Sequence, residues 1–132
     1  MTIKNTSIYG VHCDTTGRVL LVKDSNSLLW GFPGGKVEKG ETHSDTLGRE
    51  FLEETGMHVK GNLTYLTRQV DEVKQRYFYK IEQADGHLGK NGNGTDVEGA
   101  AYFDRLNLPL RAAPGIQDVI KHFLSIGNTS TL

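Results

Sequence analysis

Glu50, Glu53 and Glu54 are the residues of this chain whose types and spacing could do chemistry. On a helix, residues three and four apart share a face, so these three carboxylates project along one edge. Like charges four apart destabilise a helix by roughly 0.2–0.5 kcal/mol. Such a cluster is kept where something offsets the repulsion. A hard divalent cation would do so: Mg²⁺ or Mn²⁺ takes carboxylate oxygens, and Mg²⁺ sites combine a few carboxylates with waters and substrate phosphates. Arg49 stands four residues before Glu53 and can pair with it or with Glu41. Taken alone, Glu-x-x-Glu-Glu is more often a solvated acidic helix face than a site.

The elements that must position these groups can be read along the chain. Thr42 with Asp45 three residues later makes a capping box, and Gly56 supplies a stop. The spacing therefore predicts a helix over 43–55, with Leu47, Phe51 and Leu52 on the arc beside the carboxylates. Before it, 8–13 and 18–23 read as strands, the second with Val19-Leu20-Leu21-Val22 buried on both faces. Asp14-Thr15-Thr16-Gly17 turns the chain between them. Gly31-Phe32-Pro33-Gly34-Gly35 is expected to break regular structure. Strands are expected over 58–66, 75–81 and 101–103, and an amphipathic helix over 115–124. The segment 84–97 carries Gly86, Gly89, Gly92 and Gly94 and reads as a loop. Strands and helices are mixed, so the fold class is α/β or α+β.

Composition excludes several classes. The 132 residues suit one domain, assigned to 1–126, with 127–132 as a frayed tail. A net charge of −1 gives no general attraction to nucleic acid, so only a local basic patch could supply one. A single cysteine, Cys13, cannot close an intrachain disulfide, which fits a reducing compartment. The N-terminal residues lack the apolar core of a signal peptide, and no apolar run is long enough to span a membrane. The expected location is cytoplasmic.

The wider pattern around the carboxylates is the specific signal. Gly35, then Glu41 after five residues, then Arg49-Glu50-Phe51-Leu52-Glu53-Glu54-Thr55-Gly56-Met57 after seven more, agree at fixed spacing with one motif. The segment resembles the Nudix box, G-x5-E-x7-R-E-U-x-E-E-x-G-U with U bulky and apolar. Phe51 and Met57 are less common fillers of the U positions. Trp30-Gly31-Phe32-Pro33-Gly34-Gly35 resembles its usual lead-in. Thr46-Leu47 departs from the small residues many members carry there, which bears on helix packing.

The resemblance implies an α/β/α sandwich with a mixed central sheet, the box forming a loop–helix–loop. It implies hydrolysis of a phosphoanhydride in nucleoside diphosphate derivatives, with Mg²⁺ (or Mn²⁺) as cofactor. Glu50 and Glu54 would be metal ligands, and Glu53 a third ligand or the group that orients the water. The Gly34 carbonyl would complete the shell. Glu41 and Arg49 would fix the helix and its carboxylates. The general base would be a box glutamate or a later-loop residue, of which Glu98 is the natural candidate and Asp96 the weaker one. Homodimers are common among members.

Other residues are weaker candidates. Trp30 or Phe32 could stack on a base, though core packing is the commoner fate of such rings. Lys36 could touch phosphate, although solvated lysines are the default. Tyr77 shares a strand face with Tyr79, while Arg76, Phe78 and Lys80 share the other, and alternation alone does not say which face is the pocket. The five histidines show no zinc spacing. A (d)NTP pyrophosphohydrolase of the MutT type is the first expectation on the minimal domain. An ADP-ribose or other dinucleotide pyrophosphatase is the second. A non-catalytic nucleotide-binding module would typically lack box carboxylates, and all are present. Isomerase chemistry on this fold would need a pocket cysteine, and Cys13 sits in an early strand.

Overall fold

The computed structural model describes residues 5–89 and 97–130, the side chains of 97–98 and 127–130 excepted. The strands are β1 (Asn5–Val11), β2 (Val19–Asp24), β3 (Trp30–Gly31), β4 (Gly34–Lys36), β5 (His58–Val70), β6 (Lys74–Asp85) and β7 (Val97–Phe103). The helices are α1 (His43–Thr55) and α2 (Ile116–Ser130). One sheet has the order β4-β1-β6-β5, with β1 parallel to β6 and the other pairs antiparallel. The second has the order β3-β2-β7. The fold is mixed α and β with a mixed sheet, as expected.

Each helix covers its own apolar cluster. Leu47 and Phe51 of α1 pack on Ile8, Leu20, Met57 and Ile81. Ile116, Val119 and Ile120 of α2 pack on Val11, Val19, Leu21, Phe32, Leu66 and Phe78. Val19 to Val22 are all buried, because β2 carries a cluster on each face. Phe51 is fully buried, and truncating such a side chain to alanine costs about 3–5 kcal/mol.

Helix α1 starts and stops where its caps dictate. Thr42 Oγ1 accepts from the Asp45 N–H at 3.1 Å, and Asp45 Oδ2 accepts from the Thr42 N–H at 3.1 Å. Gly56 ends it in the left-handed region, φ 79°, and donates its N–H to Leu52. At that dihedral a Cβ is unfavourable, so glycine fits.

Three expectations are corrected. The Gly31 to Gly35 stretch does not leave the sheets: β3 pairs with β2, and Gly34-Gly35-Lys36 pairs with Tyr9-Ile8-Ser7. Pro33, which has no N–H to give, falls between the two short strands. β5 runs on to Val70, beyond the expected 66. Its register against β6 shifts between Lys60 and Leu63 and between Tyr65 and Thr67, which scrambles the alternation that marks a strand. α2 continues to Ser130, past the expected 124, and Ile126 also packs on the core. Among the described residues, no helix is long and apolar enough to cross a membrane.

Candidate active site

Glu50 and Glu54 of α1 face the β4 backbone, and Arg49 organises the acidic groups on the Glu50 side. Its Nε and Nη2 donate to the two oxygens of Glu41 at 2.7 and 3.0 Å. Nη1 donates to Glu50 Oε1 at 2.6 Å, and Nη2 also donates to the Lys36 carbonyl at 3.2 Å. Glu53 Oε2 lies 3.7 Å from Nη1. Glu41 further accepts from Thr46 Oγ1 at 3.0 Å and from the Glu38 N–H at 2.9 Å. The Arg49 hydrogen bond leads the causes that hold the Glu41 carboxyl at about 2, with the Glu38 N–H next. The same contact with Glu41 raises the Arg49 pKa. Arg49 therefore ties the loop before α1 to the helix and to the end of β4.

Glu54 has a different environment. Its Oε1 accepts one hydrogen bond, from the Gly34 N–H at 2.8 Å. Burial pushes its pKa up to about 8; the Gly34 N–H opposes this, while Glu50, Glu53 and Asp24 add to it. Glu50 is raised too, mainly by burial, with Arg49 opposing and Glu53 adding. Gly34 and Gly35 allow this close approach. A Cβ on Gly34 would run into the Ile8 carbonyl, and one on Gly35 would collide with the Glu50 carboxylate.

The expected ligands Glu50, Glu53 and Glu54 thus share one helix edge, but Glu50 and Glu53 turn to Arg49 Nη1 and Glu54 to the Gly34 N–H. Among the described residues no group of three His, Cys, Asp or Glu side chains is gathered round one point. Gly34 meets the box through its N–H, which donates to Glu54 Oε1. The donor set nevertheless fits a hard divalent cation. It consists of carboxylate oxygens, two of them held up in pKa by burial, beside a backbone stripped of side chains.

A cavity of about 780 Å³ opens from this edge. Glu54, Gly34 and Gly35 line it, and Tyr9, Phe32 and Phe78 form an aromatic wall. Tyr9 stacks on Phe78 at 5.5 Å between ring centroids, and Phe32 meets Phe78 edge-on at 6.0 Å. Asp24, Asn26, Gln69, Asp71 and Arg76 add polar groups to the lining. Its size is within the range of small-molecule sites.

Of the expected substrate residues, Phe32 lines this cavity and three others do not. Trp30 packs its ring edge-on against Phe103 at 4.9 Å and belongs to the α2 core. The Lys36 side chain is exposed and outside the cavity; what the site uses is its carbonyl. Tyr77 faces the α1 side of the sheet, 4.6 Å from the His43 ring and under the Arg68 guanidinium. The pocket face of β6 is therefore the Arg76, Phe78 face. Glu98 sits in β7 where the β2 pairing shifts register at Lys23/Asp24; its side chain lies outside the described residues, as does all of Asp96. Asp24, Gln69 and Arg76 are cavity residues that sequence reasoning missed; the alternation of β6 held the one usable signal.

The profile of the NUDIX domain matches residues 4–123 of this chain. The chain belongs to the Nudix family. It is 33% identical over 110 residues to an uncharacterized Nudix hydrolase, YvcI, of Bacillus subtilis, covering 76% of this chain and 68% of that one. It is 29% identical over 108 residues to a putative 8-oxo-dGTP diphosphatase of the same organism, covering 80% and 70%. A MutT Nudix hydrolase from Burkholderia pseudomallei superposes with a TM-score of 0.76 at 21% identity, covering 91% of this chain and 98% of the other, which is a likeness of fold. As a Nudix hydrolase, the chain is an enzyme of small nucleotide substrates, in a family that generally uses divalent cations.

Proposed function

We propose that this Nudix hydrolase is a Mg²⁺-dependent nucleoside triphosphate pyrophosphohydrolase of the MutT type, converting a (d)NTP and water to the nucleoside monophosphate and pyrophosphate. The observation that carries this reading is the position of Glu54. A half-buried carboxylate of the box helix lines an aromatic-walled cavity large enough for one nucleotide. The similarity to a putative 8-oxo-dGTP diphosphatase supports the same class.

Glu50, Glu53 and Glu54 are the residues to hold the cation, which supplies charge neutralisation at the phosphates and a lowered pKa for a bound water. Arg49, held by Glu41, fixes Glu50 beside β4. Phe32, Tyr9 and Phe78 take the nucleoside and exclude water from one side of it. A water then attacks one phosphorus in line with the leaving oxygen, and a carboxylate accepts its proton. Glu53, the most exposed of the three, and Glu98 on β7 are the two candidates for that base.

The test is a Mg²⁺-dependent hydrolysis screen with product identification, covering oxidised and normal (d)NTPs, ADP-ribose, NADH and dinucleoside polyphosphates. Glu53→Gln and Glu98→Gln run in parallel. Monophosphate and pyrophosphate from a triphosphate, lost in Glu53→Gln, support the reading. AMP and ribose 5-phosphate from ADP-ribose, with triphosphates untouched, would replace it with a pyrophosphatase of two-ended substrates. No turnover of any compound would return the chain to a nucleotide-binding role.

A further inference from the structure

Thr46 reads as a packing residue in the sequence, and in the structure it is fully buried on α1. Its hydroxyl makes it more than that. Oγ1 lies 3.1 Å from the Thr42 carbonyl and 3.0 Å from Glu41 Oε1. A hydroxyl has one proton to give. The Thr42 carbonyl already accepts the Thr46 N–H at 3.0 Å, as the helix requires. The carboxylate is the stronger acceptor, because a hydrogen bond to an ion is roughly twice as strong as one between neutral groups. The proton therefore goes to Glu41.

Glu41 is then saturated. Oε1 accepts from the Glu38 N–H at 2.9 Å, from Thr46 Oγ1 at 3.0 Å and from Arg49 Nη2 at 3.0 Å, while Oε2 accepts from Arg49 Nε at 2.7 Å. An ionised carboxylate offers about four lone-pair sites, so each is in use. The donors differ in stiffness. Glu38 belongs to the loop before α1, and Arg49 reaches Glu41 along a flexible side chain. Thr46 is β-branched, restricted about χ1, and stands on the helix itself. It is the short, stiff contact between the loop carboxylate and the box helix. The plane of Glu41 sets the plane of the guanidinium paired with it. Nη1 of that guanidinium meets Glu50 Oε1 at 2.6 Å, one helical turn beyond Thr46.

We infer that Thr46 is a positioning residue of the box, whose hydroxyl locks Glu41 and so sets Arg49 and the Glu50 carboxylate for the cation. The inference rests on the proposed reading of Glu50 as a cation ligand. Packing and positioning respond oppositely to two substitutions. Thr46→Val keeps the branched shape and loses the hydroxyl, whereas Thr46→Ser keeps the hydroxyl and loses the methyl.

The experiment measures Mn²⁺ binding without nucleotide, from the electron paramagnetic resonance signal of the free ion, in the wild type, both variants and Glu50→Gln. Beside it, metal-free NMR spectra give the rate at which the Arg49 Nε–H exchanges with water. Thr46→Val should weaken Mn²⁺ binding by roughly 3- to 10-fold, short of the 10- to 100-fold that losing a direct partner of a ligand costs. Its Arg49 Nε–H should exchange several-fold faster. Thr46→Ser should stay within about twofold of wild type in both readings. Thr46→Ala carries the same expectation as the Val variant and replaces it if that protein does not fold. Equal effects in the Val and Ser variants, a larger effect in Ser, or wild-type behaviour in Val each overturns the inference. No Mn²⁺ binding in the wild type, or binding that Glu50→Gln leaves untouched, would sink the cation reading alone if the Arg49 signal still separates Val from Ser. Mn²⁺ binding that needs Glu50 and ignores Thr46→Val would sink this inference alone.

Discussion

Asp14 and Glu54 are both carboxylates among several polar neighbours, and their surroundings push them in opposite directions. At the β1–β2 turn, Asp14 Oδ1 accepts from the Thr16 N–H at 2.9 Å, Thr16 Oγ1 at 2.7 Å and the Arg18 N–H at 2.9 Å. Arg18 Nε and Nη2 approach Oδ2 at 2.9 and 2.8 Å. Desolvation raises Asp14, but these donors together outweigh it and hold the carboxyl at about 2. Glu54 has one N–H, three carboxylate neighbours and a half-buried position, and is pushed up to about 8. The first cluster is complete in itself and serves the fold. Among the described residues Glu54 has no ion pair to match it, which is the difference the proposed cation site requires.

The comparison is tested hardest at Glu54. Glu54→Gln keeps an oxygen for the Gly34 N–H and removes the charge. Hydrolysis should fall by roughly 100-fold or more, since a ligand matters at least as much as the outer partners whose loss costs 10- to 100-fold. Stability should move the other way: in EDTA the melting temperature should rise, because a half-buried carboxylate facing Glu50, Glu53 and Asp24 has been neutralised. If activity survives, or if the melting temperature falls along with activity, Glu54 is a structural residue like Asp14.

Arg49 lies between the two extremes, since it satisfies Glu41 fully and Glu50 in part. Arg49→Lys cannot reach Glu41 twice, Glu50 and the Lys36 carbonyl together. The Mg²⁺ concentration for half-maximal activity should rise by roughly 10- to 100-fold. Maximal activity at saturating Mg²⁺ should change less. An unchanged Mg²⁺ dependence would show that the carboxylates do not need this clamp.

How far each part was legible follows from how local its causes are. Helix α1 was legible to the residue, because Thr42, Asp45 and Gly56 cap it locally and helical spacing fixes which residues share the edge with Glu54. The partnership of Arg49 with Glu41 was one of the two pairings its position allows, the other being Glu53 one turn along the helix. The cavity wall was not. Asp24, Gln69 and Arg76 come from β2, β5 and β6, and become neighbours through pairing between segments far apart in the chain. The face of β6 that meets the cavity depends on its parallel register with β1, which sets Ser7 opposite Arg76; alternation in the sequence separates the two faces without saying which is the pocket, and the expected residue, Tyr77, is on the other one. Trp30 looked free to stack on a base because its partner Phe103 lies 73 residues later. The extent of β5 was hidden by its two register shifts.

The smallest effect is expected at the turn. Asp14→Asn can still accept from the Thr16 and Arg18 N–H groups, so it loses charge assistance and little else. Because the Arg18 partner is largely exposed, solvent screening limits the loss to about 0.5–1 kcal/mol. That is a drop of roughly 2–4 °C in melting temperature. Its pH dependence has a definite sign. The folded carboxyl titrates at about 2, below its ordinary value of 3.8, so the stabilisation is present above pH 3.8 and lost as pH falls through 2. The gap between wild type and variant should therefore be full at pH 6 and close as the pH is taken down to 2, with kcat/KM equal in the two proteins near neutrality. A variant that loses activity at pH 7 while fully folded would mean that this turn, too, belongs to the working site.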